Sequence, residues 1–341
     1  MNRRDFLVSA AAALATPGAA VSAAAPVKLG IDLFSLRSQK WTPAQYLDYC
    51  ARQRVKVVHF SEPRFLGSLD PANLRQIHAH AGELGLEVEI GMGSICPTSK
   101  SFDAKQGTAQ EQLSRMIAAA PLAGSRIVRA VLGSMEDRKS GPLTPHIEAM
   151  VGVLRSVRSY AMDHGVRIAI ENHAGDMLAT ELRTLVEEAG KDFVGVCLDA
   201  GNPLWTLEDP HYTLEILHPY ALTSHTRDTA VWNVPEGAAV TWVRMGEGNS
   251  GIRDYMLKFA QLCPNAALSL ESIVFGPRVF SWRRPEFWKA YADVPAASFS
   301  RFLTIAERGH AVPDYAWERG PELEREDLEA SLAYVHNLFG V

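Results

Sequence analysis

The stretch VRIAIE-NHAGD-MLATELRTLVEEA-GKDF-VGVCLD, residues 166–199, decides the fold of this chain. Two short apolar runs, 166–171 and 194–199, end in the acidic residues Glu171 and Asp199. The segment between them, 177–189, has the hydrophobic period of a helix. A strand, a helix and a second strand in this order form one unit of a parallel sheet, and parallel strands end at the same edge. The pattern therefore predicts two carboxylates that lie side by side.

The same alternation of short apolar runs and longer helical segments covers most of the chain. The predicted strands are residues 28–34, 56–60, 86–91, 126–132, 166–171, 194–199, 220–225 and 267–271. The predicted helices are residues 43–54, 71–84, 109–120, 145–164, 177–189 and 252–262. Eight strands that alternate with helices predict an α/β protein with the fold of a (β/α)8 TIM barrel. Residues 33–37, LFSLR, contain no glycine, so the glycine-rich loop of a dinucleotide-binding sheet is absent after the first strand.

Two segments after the eighth predicted strand depart from this alternation. Residues 273–295 are rich in aromatic and basic side chains and predict an elaborated loop with a helix, which either packs on the barrel or faces the substrate. Residues 321–338 carry leucine and valine along one side of a charged pattern and predict a C-terminal helix. We expect this helix to seal the barrel or to form a subunit contact in a homo-oligomer.

The composition and the charge of the chain exclude several classes of partner. Of its 341 residues 47% are hydrophobic, enough for a substantial core. A net charge of -5 and a pI near 6.1 provide no attraction to nucleic acid or to an anionic membrane, so we expect neither as a partner. The 4 cysteines lie far apart in the sequence, which is typical of buried thiols rather than of a disulfide framework.

The first 25 residues are predicted to be an export signal and not a part of the fold. Arg3 and Arg4 precede an apolar run, residues 8–15, that is too short to span a bilayer, and small residues follow up to Ala25. The pattern resembles twin-arginine signals and predicts a periplasmic or otherwise exported protein, whose barrel covers residues 26–341. The alternative is an ordinary amphipathic or disordered tail.

Four residues at strand ends form a candidate metal site: Glu171, Asp199, His225 and Glu271. They close the fifth to eighth predicted strands, and the carboxyl ends of barrel strands meet at one face. One acidic residue at a strand end is as often a helix cap or a surface ion pair, but four at matching ends indicate a shared ligand. Three carboxylates and one imidazole suit Mn²⁺ or Mg²⁺ and allow Co²⁺, Fe²⁺ or Zn²⁺.

Around these residues the chain resembles the xylose-isomerase-like superfamily of sugar (phosphate) isomerases and epimerases, over about residues 28–310. The resemblance is carried by the motifs IENH at 170–173, LDAGN at 198–202, HTRD at 225–228, GEG at 246–248 and LES at 270–272. It implies a TIM barrel with one divalent metal ion bound by Glu171, Asp199, His225 and Glu271. It also implies that Glu171 and Glu271 move the proton, one on each face of the substrate carbon.

Two candidate substrate-binding residues, Asn202 and Arg227, differ from the pattern of this superfamily. Asn202 stands where many members carry histidine, and Arg227 stands where lysine is common. The planar fork of Arg227 suits a carboxylate or a phosphate, while an ion pair with Asp228 or another neighbour is the alternative. These differences weaken the resemblance to the ketose epimerases in particular.

Three further residues are candidates for contact with the substrate. His173 lies on the same side as Glu171 if the strand continues, and it is expected to touch the substrate or to hydrogen-bond from behind the site. His59 and Glu62 follow the second strand at the same barrel face. Glu89 and Arg129 interrupt apolar runs, and they are expected either to pair inside the barrel or to reach the site.

The leading functional hypothesis is a metal-dependent sugar isomerase or epimerase. Proton removal next to a carbonyl gives an enediolate, and a divalent ion on its oxygens stabilises the charge. A lyase or hydrolase of a keto-sugar or oxidised glycoside uses the same enediolate and is the second hypothesis. A sugar-binding barrel without activity is the third, although both candidate proton carriers are present. Export favours an unphosphorylated carbohydrate as the substrate.

Overall fold

A closed eight-stranded parallel barrel forms the body of the protein, in a computed structural model that describes residues 27–312 and 317–341. The strands are β1 Leu29–Asp32, β2 Val57–Phe60, β3 Glu87–Ser94, β4 Ile127–Val131, β5 Arg167–Glu171, β6 Val194–Asp199, β7 Ala221–Thr226, β8 Asp228–Val234, β9 Gly237–Val243, β10 Leu268–Leu270 and β11 Arg278–Phe280. The barrel consists of β1 to β7 and β10, which pairs with both β1 and β7. The predicted TIM barrel is confirmed. The predicted export signal lies outside the described residues.

Helices surround the barrel and connect its strands. They are α1 Pro43–Arg52, α2 Pro71–Glu83, α3 Ala109–Leu122, α4 Met135–Arg138, α5 Thr144–Asp163, α6 Ala179–Ala189, α7 Pro210–Leu217, α8 Ile252–Leu262, α9 Ala296–Arg308 and α10 Pro321–Phe339. Several begin at a polar cap followed by proline, as at Thr42 and Asp70, whose side chains accept hydrogen bonds from backbone N–H groups of the first turn. The six predicted helices are present, with ends shifted by at most two residues.

The first strand ends earlier than the sequence indicates. Residues 28–34 are predicted as one strand, but β1 ends at Asp32. The Asp32 carboxylate accepts a hydrogen bond from the Phe34 N–H and so begins a short 3-10 helix, Leu33–Leu36. The apolar residues that look like strand are still buried, because this turn packs them against the core.

A β-hairpin that the sequence analysis does not predict follows the seventh barrel strand. β8 and β9 pair antiparallel around a tight turn, with Val234 opposite Gly237, and β11 joins β9 as a third strand. The hairpin leaves the barrel at the carboxyl end of β7, so it rises from the face where the candidate ligands lie. Its signal in the sequence is the turn Pro235–Glu236, followed by Gly237, between two runs that contain β-branched and aromatic residues.

A second hydrophobic cluster lies at this face, separate from the barrel core. It joins the hairpin, the segment after β6, the segment after β10 and helix α9. Its buried members are Leu204, Trp205, Leu207, Val231, Ala238, Val240, Trp242, Ile273, Phe280, Tyr291, Phe302 and Ala306. The predicted elaborated segment after the eighth strand is thus part of a layer that packs on the barrel.

Helix α10 packs against the barrel core. Leu328, Leu332 and Val335 belong to the core cluster and are at most 1% exposed. The Glu324 carboxylate accepts hydrogen bonds from the backbone N–H and the hydroxyl of Ser38, which fixes the start of the helix against the first βα loop. The C-terminal helix therefore seals the barrel. Across residues 27–312 and 317–341, we find no helix whose length and hydropathy would let it cross a bilayer.

Candidate metal centre

The four predicted metal ligands meet at the carboxyl end of the barrel. Glu171 is the last residue of β5 and Asp199 the last of β6, while His225 lies near the end of β7 and Glu271 directly follows β10. Their ligand atoms all lie within 4.8 Å of one another. Each of these residues is at most 5% exposed. Buried carboxylates need a positive charge or hydrogen-bond donors nearby, and these four residues offer the ligand types that a hard divalent cation takes.

The imidazole of His225 points one nitrogen into this cluster. Its Nδ1 lies 3.1 Å from Glu171 Oε2 and 3.3 Å from Glu271 Oε2, and yet it has no hydrogen-bond partner among the described residues. Its Nε2 lies 3.0 Å from Nδ1 of His59. At these distances the imidazolium pairs with the two carboxylates, and the neutral imidazole can bind a metal ion together with them.

Backbone groups hold the Asp199 carboxylate in place. Its Oδ1 accepts hydrogen bonds from the N–H groups of Gly201 and Asn202, both at 2.7 Å. The side chain of Asn172 bridges to the Asp199 backbone, because it donates to the carbonyl and accepts from the N–H, both at 2.9 Å. Burial raises the pKa of Asp199 to about 6, although the charge of Arg227 opposes this shift. The side chain is thus fixed before any ligand binds.

Two buried arginines contact the acidic ligands from opposite sides. Arg129 donates from Nε to Glu171 Oε2 at 2.5 Å. Burial alone would raise the pKa of Glu171, because it disfavours the charged carboxylate. The positive charges of Arg129 and His225 outweigh burial, so the pKa of Glu171 lies well below its usual value. Arg227 donates from Nη2 to Asp199 Oδ2 at 2.5 Å and to Glu271 Oε2. Arg129 therefore reaches the site, one of the two placements that the sequence leaves open.

The position of Arg227 depends on a tryptophan and a glycine. The guanidinium carbon lies 4.1 Å from the centroid of the Trp242 ring, a cation–π contact that holds the fork flat. A Cβ atom at Gly201 would lie 2.4 Å from Arg227 Cγ and 3.0 Å from Trp242 Nε1. Only glycine at position 201 lets these two side chains approach the loop after β6.

A cavity of about 310 Å³ opens onto the cluster. It is lined by Asp32, Phe34, Ser61, Glu62, Gly93, Ser94, Ser101, Arg129, Val131, Gly133, His173, Asn202, Arg227, Trp242, Glu271 and Ile273. Its polar walls and its volume, at the small end of the range for ligand pockets, suit a small hydrophilic molecule.

The predicted substrate-binding residues occupy different positions around this cavity. Glu62, His173, Asn202 and Arg227 line it. The Asn202 side-chain amide donates to Glu171 Oε1 at 3.2 Å, and the Nδ1 atom of His173 lies 2.7 Å from the Gly133 carbonyl oxygen. His59 is instead fully buried behind His225. It is placed to orient that imidazole rather than to touch a substrate.

Glu89 does not pair with Arg129. Its carboxylate accepts a hydrogen bond of 2.6 Å from the Thr223 hydroxyl and lies 3.6 Å from Nδ1 of His59. Burial raises the pKa of Glu89 to about 7. The residue thus supports His59 from inside the barrel, on the far side of the imidazole pair from the cavity.

Sequence reasoning did not identify two residues of the cavity wall, Asp32 and Trp242. Asp32 Oδ2 is buried without a hydrogen-bond partner among the described residues and lies 3.6 Å from His225 Nε2. Asp32 ends β1, but the strand was predicted to continue to residue 34, so the strand-end signal that identified the four ligands was missed here. Trp242 belongs to the unpredicted hairpin, so its place beside the site depends on a tertiary contact.

The sequence model of a protein family described as "Xylose isomerase-like TIM barrel" matches residues 49–284. The chain belongs to this family. The match includes all four candidate ligands, because they lie between residues 171 and 271. The resemblance stated from the motifs is therefore confirmed at the level of the family.

Among curated proteins, the chain is similar to 3-oxo-isoapionate decarboxylase from Pectobacterium atrosepticum, with 22% identity over 187 residues. The matched region spans 55% of the chain and 61% of that relative. The sequence similarity therefore covers only a part of either protein.

Solved structures of the same architecture extend over nearly the whole chain. The structure of an L-ribulose 3-epimerase matches with a TM-score of 0.61, at 16% identity, and covers 92% of this chain and 95% of that one. A xylose isomerase-like TIM barrel protein from Mycobacterium smegmatis, in complex with magnesium, matches with a TM-score of 0.57, at 13% identity, and covers 82% and 96%. At these identities the similarity establishes the shared fold.

Proposed function

We propose that this protein is a divalent-metal-dependent enzyme that isomerises or epimerises a carbohydrate. The observation that carries the proposal is the convergence of Glu171, Asp199, His225 and Glu271 from four neighbouring barrel strands, with their ligand atoms within 4.8 Å of one another. The cavity of about 310 Å³ above them gives a small substrate access to this centre. A family of sugar isomerase-like barrels supports the choice of substrate class.

The donor set fits a hard divalent cation. Three carboxylates and one imidazole suit Mn²⁺ or Mg²⁺, and they also accept Co²⁺, Fe²⁺ or Zn²⁺. The unpartnered Nδ1 of His225, directed at two of the carboxylates, supports the same assignment. The magnesium complex of the M. smegmatis protein is a further support, since that protein has the same fold. The bound ion would stabilise negative charge that develops on adjacent carbonyl and hydroxyl oxygens of the sugar.

We assign the proton transfer to Glu171 and Glu271. Both carboxylates border the cavity side of His225, and they come from β5 and from the segment after β10, so a sugar carbon between them has one carboxylate on each side. A carboxylate that removes the proton from one carbon can return it to the neighbouring carbon, or the carboxylate on the other side can protonate the same carbon from the opposite face. The first outcome is isomerisation and the second is epimerisation.

The remaining residues of the cavity bind and orient the substrate in this proposal. Arg227 and His173 offer hydrogen-bond donors to sugar oxygens, and Asn202 offers a buried side-chain oxygen that has no partner among the described residues. Glu62 lies at the mouth, where its carboxylate contacts Arg64. His59 fixes the orientation of His225 and so acts through the metal ligand.

A lyase is the second candidate, and one observation favours it. The curated relative is a decarboxylase, and loss of carbon dioxide from a 3-oxo sugar acid also leaves an enediolate. The buried Arg129 and Arg227, which both line the cavity, could bind the carboxylate of such a substrate. A sugar-binding barrel without activity is less consistent with the presence of both Glu171 and Glu271 in the site.

An exchange experiment in deuterated water tests the proposal. Protein loaded with Mn²⁺ is incubated with free sugars, keto-sugars and 3-oxo sugar acids, and the products are analysed by NMR and mass spectrometry. Deuterium on a substrate carbon with an intact skeleton supports the isomerase or epimerase, and carbon dioxide release supports the lyase. Activity that remains unchanged in both Glu171→Gln and Glu271→Gln would refute the assigned proton carriers.

Export is a separate proposal. Residues 1–25 would direct the protein to the periplasm through the twin-arginine route, and fractionation of cells that express the full chain would test it. Replacement of Arg3 and Arg4 by lysine should then retain the protein in the cytoplasm.

A further inference from the structure

A second, larger cavity lies beside the metal centre. Its volume is about 570 Å³, and it is bordered by the α4 segment, by β11 and by the 3-10 helix Pro285–Lys289. The lining residues are Met135, Lys139, Arg278, Val279, Phe280, Ser281, Arg284, Glu286, Phe287, Lys289, Ala290 and Tyr291. This set has no residue in common with the wall of the cavity at the metal centre. The space is large enough for a sugar unit.

Aromatic rings form the floor of this second cavity. Phe287 and Tyr291 stack with ring centroids 4.4 Å apart and planes 6° from parallel, and Phe280 meets both rings edge-on. The Tyr291 hydroxyl donates to the Trp205 carbonyl oxygen at 3.3 Å, which anchors the floor to the segment after β6. Phe280 and Tyr291 are 2% exposed, so they support the half-buried Phe287 from below, and Phe287 is the ring left to meet the apolar C–H face of a pyranose.

Cationic side chains form the rim of the cavity. Lys139, Arg278, Arg284 and Lys289 line the cavity beside one carboxylate, Glu286, in a chain whose net charge is -5, and Lys139 is paired with Glu136 at 2.7 Å. Within the described ranges, Arg284 and Lys289 make no ion pair. This local excess of positive charge selects for an anionic ligand.

One of these cations is held in place by aromatic rings. The Arg278 guanidinium carbon lies 4.7 Å from the centroid of Trp205 and 5.7 Å from that of Phe275. These cation–π contacts position the planar fork, whose donors match a carboxylate or a phosphate. The fork is therefore available to a ligand at low entropic cost.

Stacked side chains connect the two cavities. Arg227, in the wall at the metal centre, lies over Trp242, and Trp242 stacks on Trp205 with centroids 4.7 Å apart. Trp205 also contacts Arg278, in the rim of the second cavity. Two tryptophan rings thus separate the arginine of one site from the arginine of the other.

We propose that the second cavity binds an acidic monosaccharide unit, whose ring rests on Phe287 and whose anionic group is bound by Arg278 and Arg284. The shared chemistry is a sugar that carries a carboxylate or a phosphate. If the proposed function is right, this site holds an acidic sugar beside the metal centre, and acidic carbohydrates are then the substrate class of the enzyme.

Binding to the metal-free protein tests this site independently of catalysis. EDTA-treated protein is titrated with D-glucuronate, D-glucose 6-phosphate and D-glucose, and binding is followed by calorimetry and by tryptophan fluorescence, because Trp205 contacts the rim. We expect one or both acidic sugars to bind roughly tenfold to a hundredfold more tightly than glucose, the range for hydrogen bonds to charged groups. The two acidic probes distinguish a carboxylate from a phosphate ligand.

The variant Arg278→Gln/Arg284→Gln should weaken binding of the preferred acidic sugar by roughly tenfold or more. The matched control is Arg253→Gln/Arg308→Gln, which removes the same charge from two exposed arginines outside the rim. Equal binding of glucose and the acidic sugars, no binding of either acidic sugar, or an equal loss in both double variants would overturn the site. If the acidic sugar binds as expected while metal binding and deuterium exchange fail, the site stands and the proposed function falls.

Discussion

Arg129→Met should destabilise the metal-free protein, because it removes the partner of a buried carboxylate. Arg129 is 7% exposed and Glu171 is fully buried, and two nitrogens of the guanidinium contact Glu171 Oε2. Loss of one partner of such a pair costs about 3–5 kcal/mol. His225 remains beside Glu171 and offsets a part of the charge, so we expect the lower end, about 3 kcal/mol.

The assay is urea unfolding of EDTA-treated protein, for the wild type, Arg129→Met, Glu171→Gln and the double variant. The double variant has neither charge, so it should be more stable than the sum of the single changes implies, with a coupling free energy of roughly 1–3 kcal/mol. The control is Arg126→Met, an exposed residue directly before the same strand, with a change of about 0.5 kcal/mol or less. Additive single changes would refute the ion pair as the cause.

Two further predictions concern the loop and helix after β6 and the acids near them. Gly201→Ala should lower the free energy of unfolding by about 1–3 kcal/mol and displace Arg227, because its Cβ would meet Arg227 Cγ at 2.4 Å. The control Gly82→Ala, whose Cβ has nothing within 4 Å, should not destabilise the protein. Equal unfolding free energies of the two variants would contradict this prediction. Burial raises the pKa of Glu208 from 4.5 to about 7, so the folded state holds a proton that the unfolded state has lost, and stability falls as the pH rises through this window. Glu208→Gln should remove that loss, up to about 3 kcal/mol, and a stability difference between variant and wild type that is the same at pH 5 and pH 8 would show the reasoning to be wrong.

The four ligands could be predicted from the sequence because the carboxyl ends of all strands in a parallel barrel lie at the same face. Glu171, Asp199 and His225 each occupy the last or next-to-last residue of a strand, and Glu271 directly follows one, so the local pattern determines where they meet. No knowledge of side-chain packing is needed for this step. The predicted helices are present for the same reason, since caps and periods are local signals, whereas α4, α7 and α9 were not predicted.

The surroundings of the ligands could not be predicted in the same way. Asp228 was a candidate partner of Arg227, but its carboxylate instead accepts hydrogen bonds from the backbone N–H groups of Gly246 and Gly248 and from the Ser250 hydroxyl. Arg227 is thus directed to Asp199 and Glu271 by a contact between distant parts of the chain. The hairpin that supplies Trp242 interrupts the βα alternation, so the expected period gave no reason to place a strand there.

The proposed activity requires that Glu171, Asp199, His225 and Glu271 hold a divalent ion. Its most direct test is titration of EDTA-treated protein with Mn²⁺, with free Mn²⁺ measured by electron paramagnetic resonance. We predict one bound ion per chain, an affinity lower by roughly a hundredfold or more in His225→Ala, and unchanged binding in His78→Ala at the opposite end of the barrel. A wild-type protein that binds no Mn²⁺, or a His225→Ala variant that binds it as tightly as the wild type, would contradict the claim.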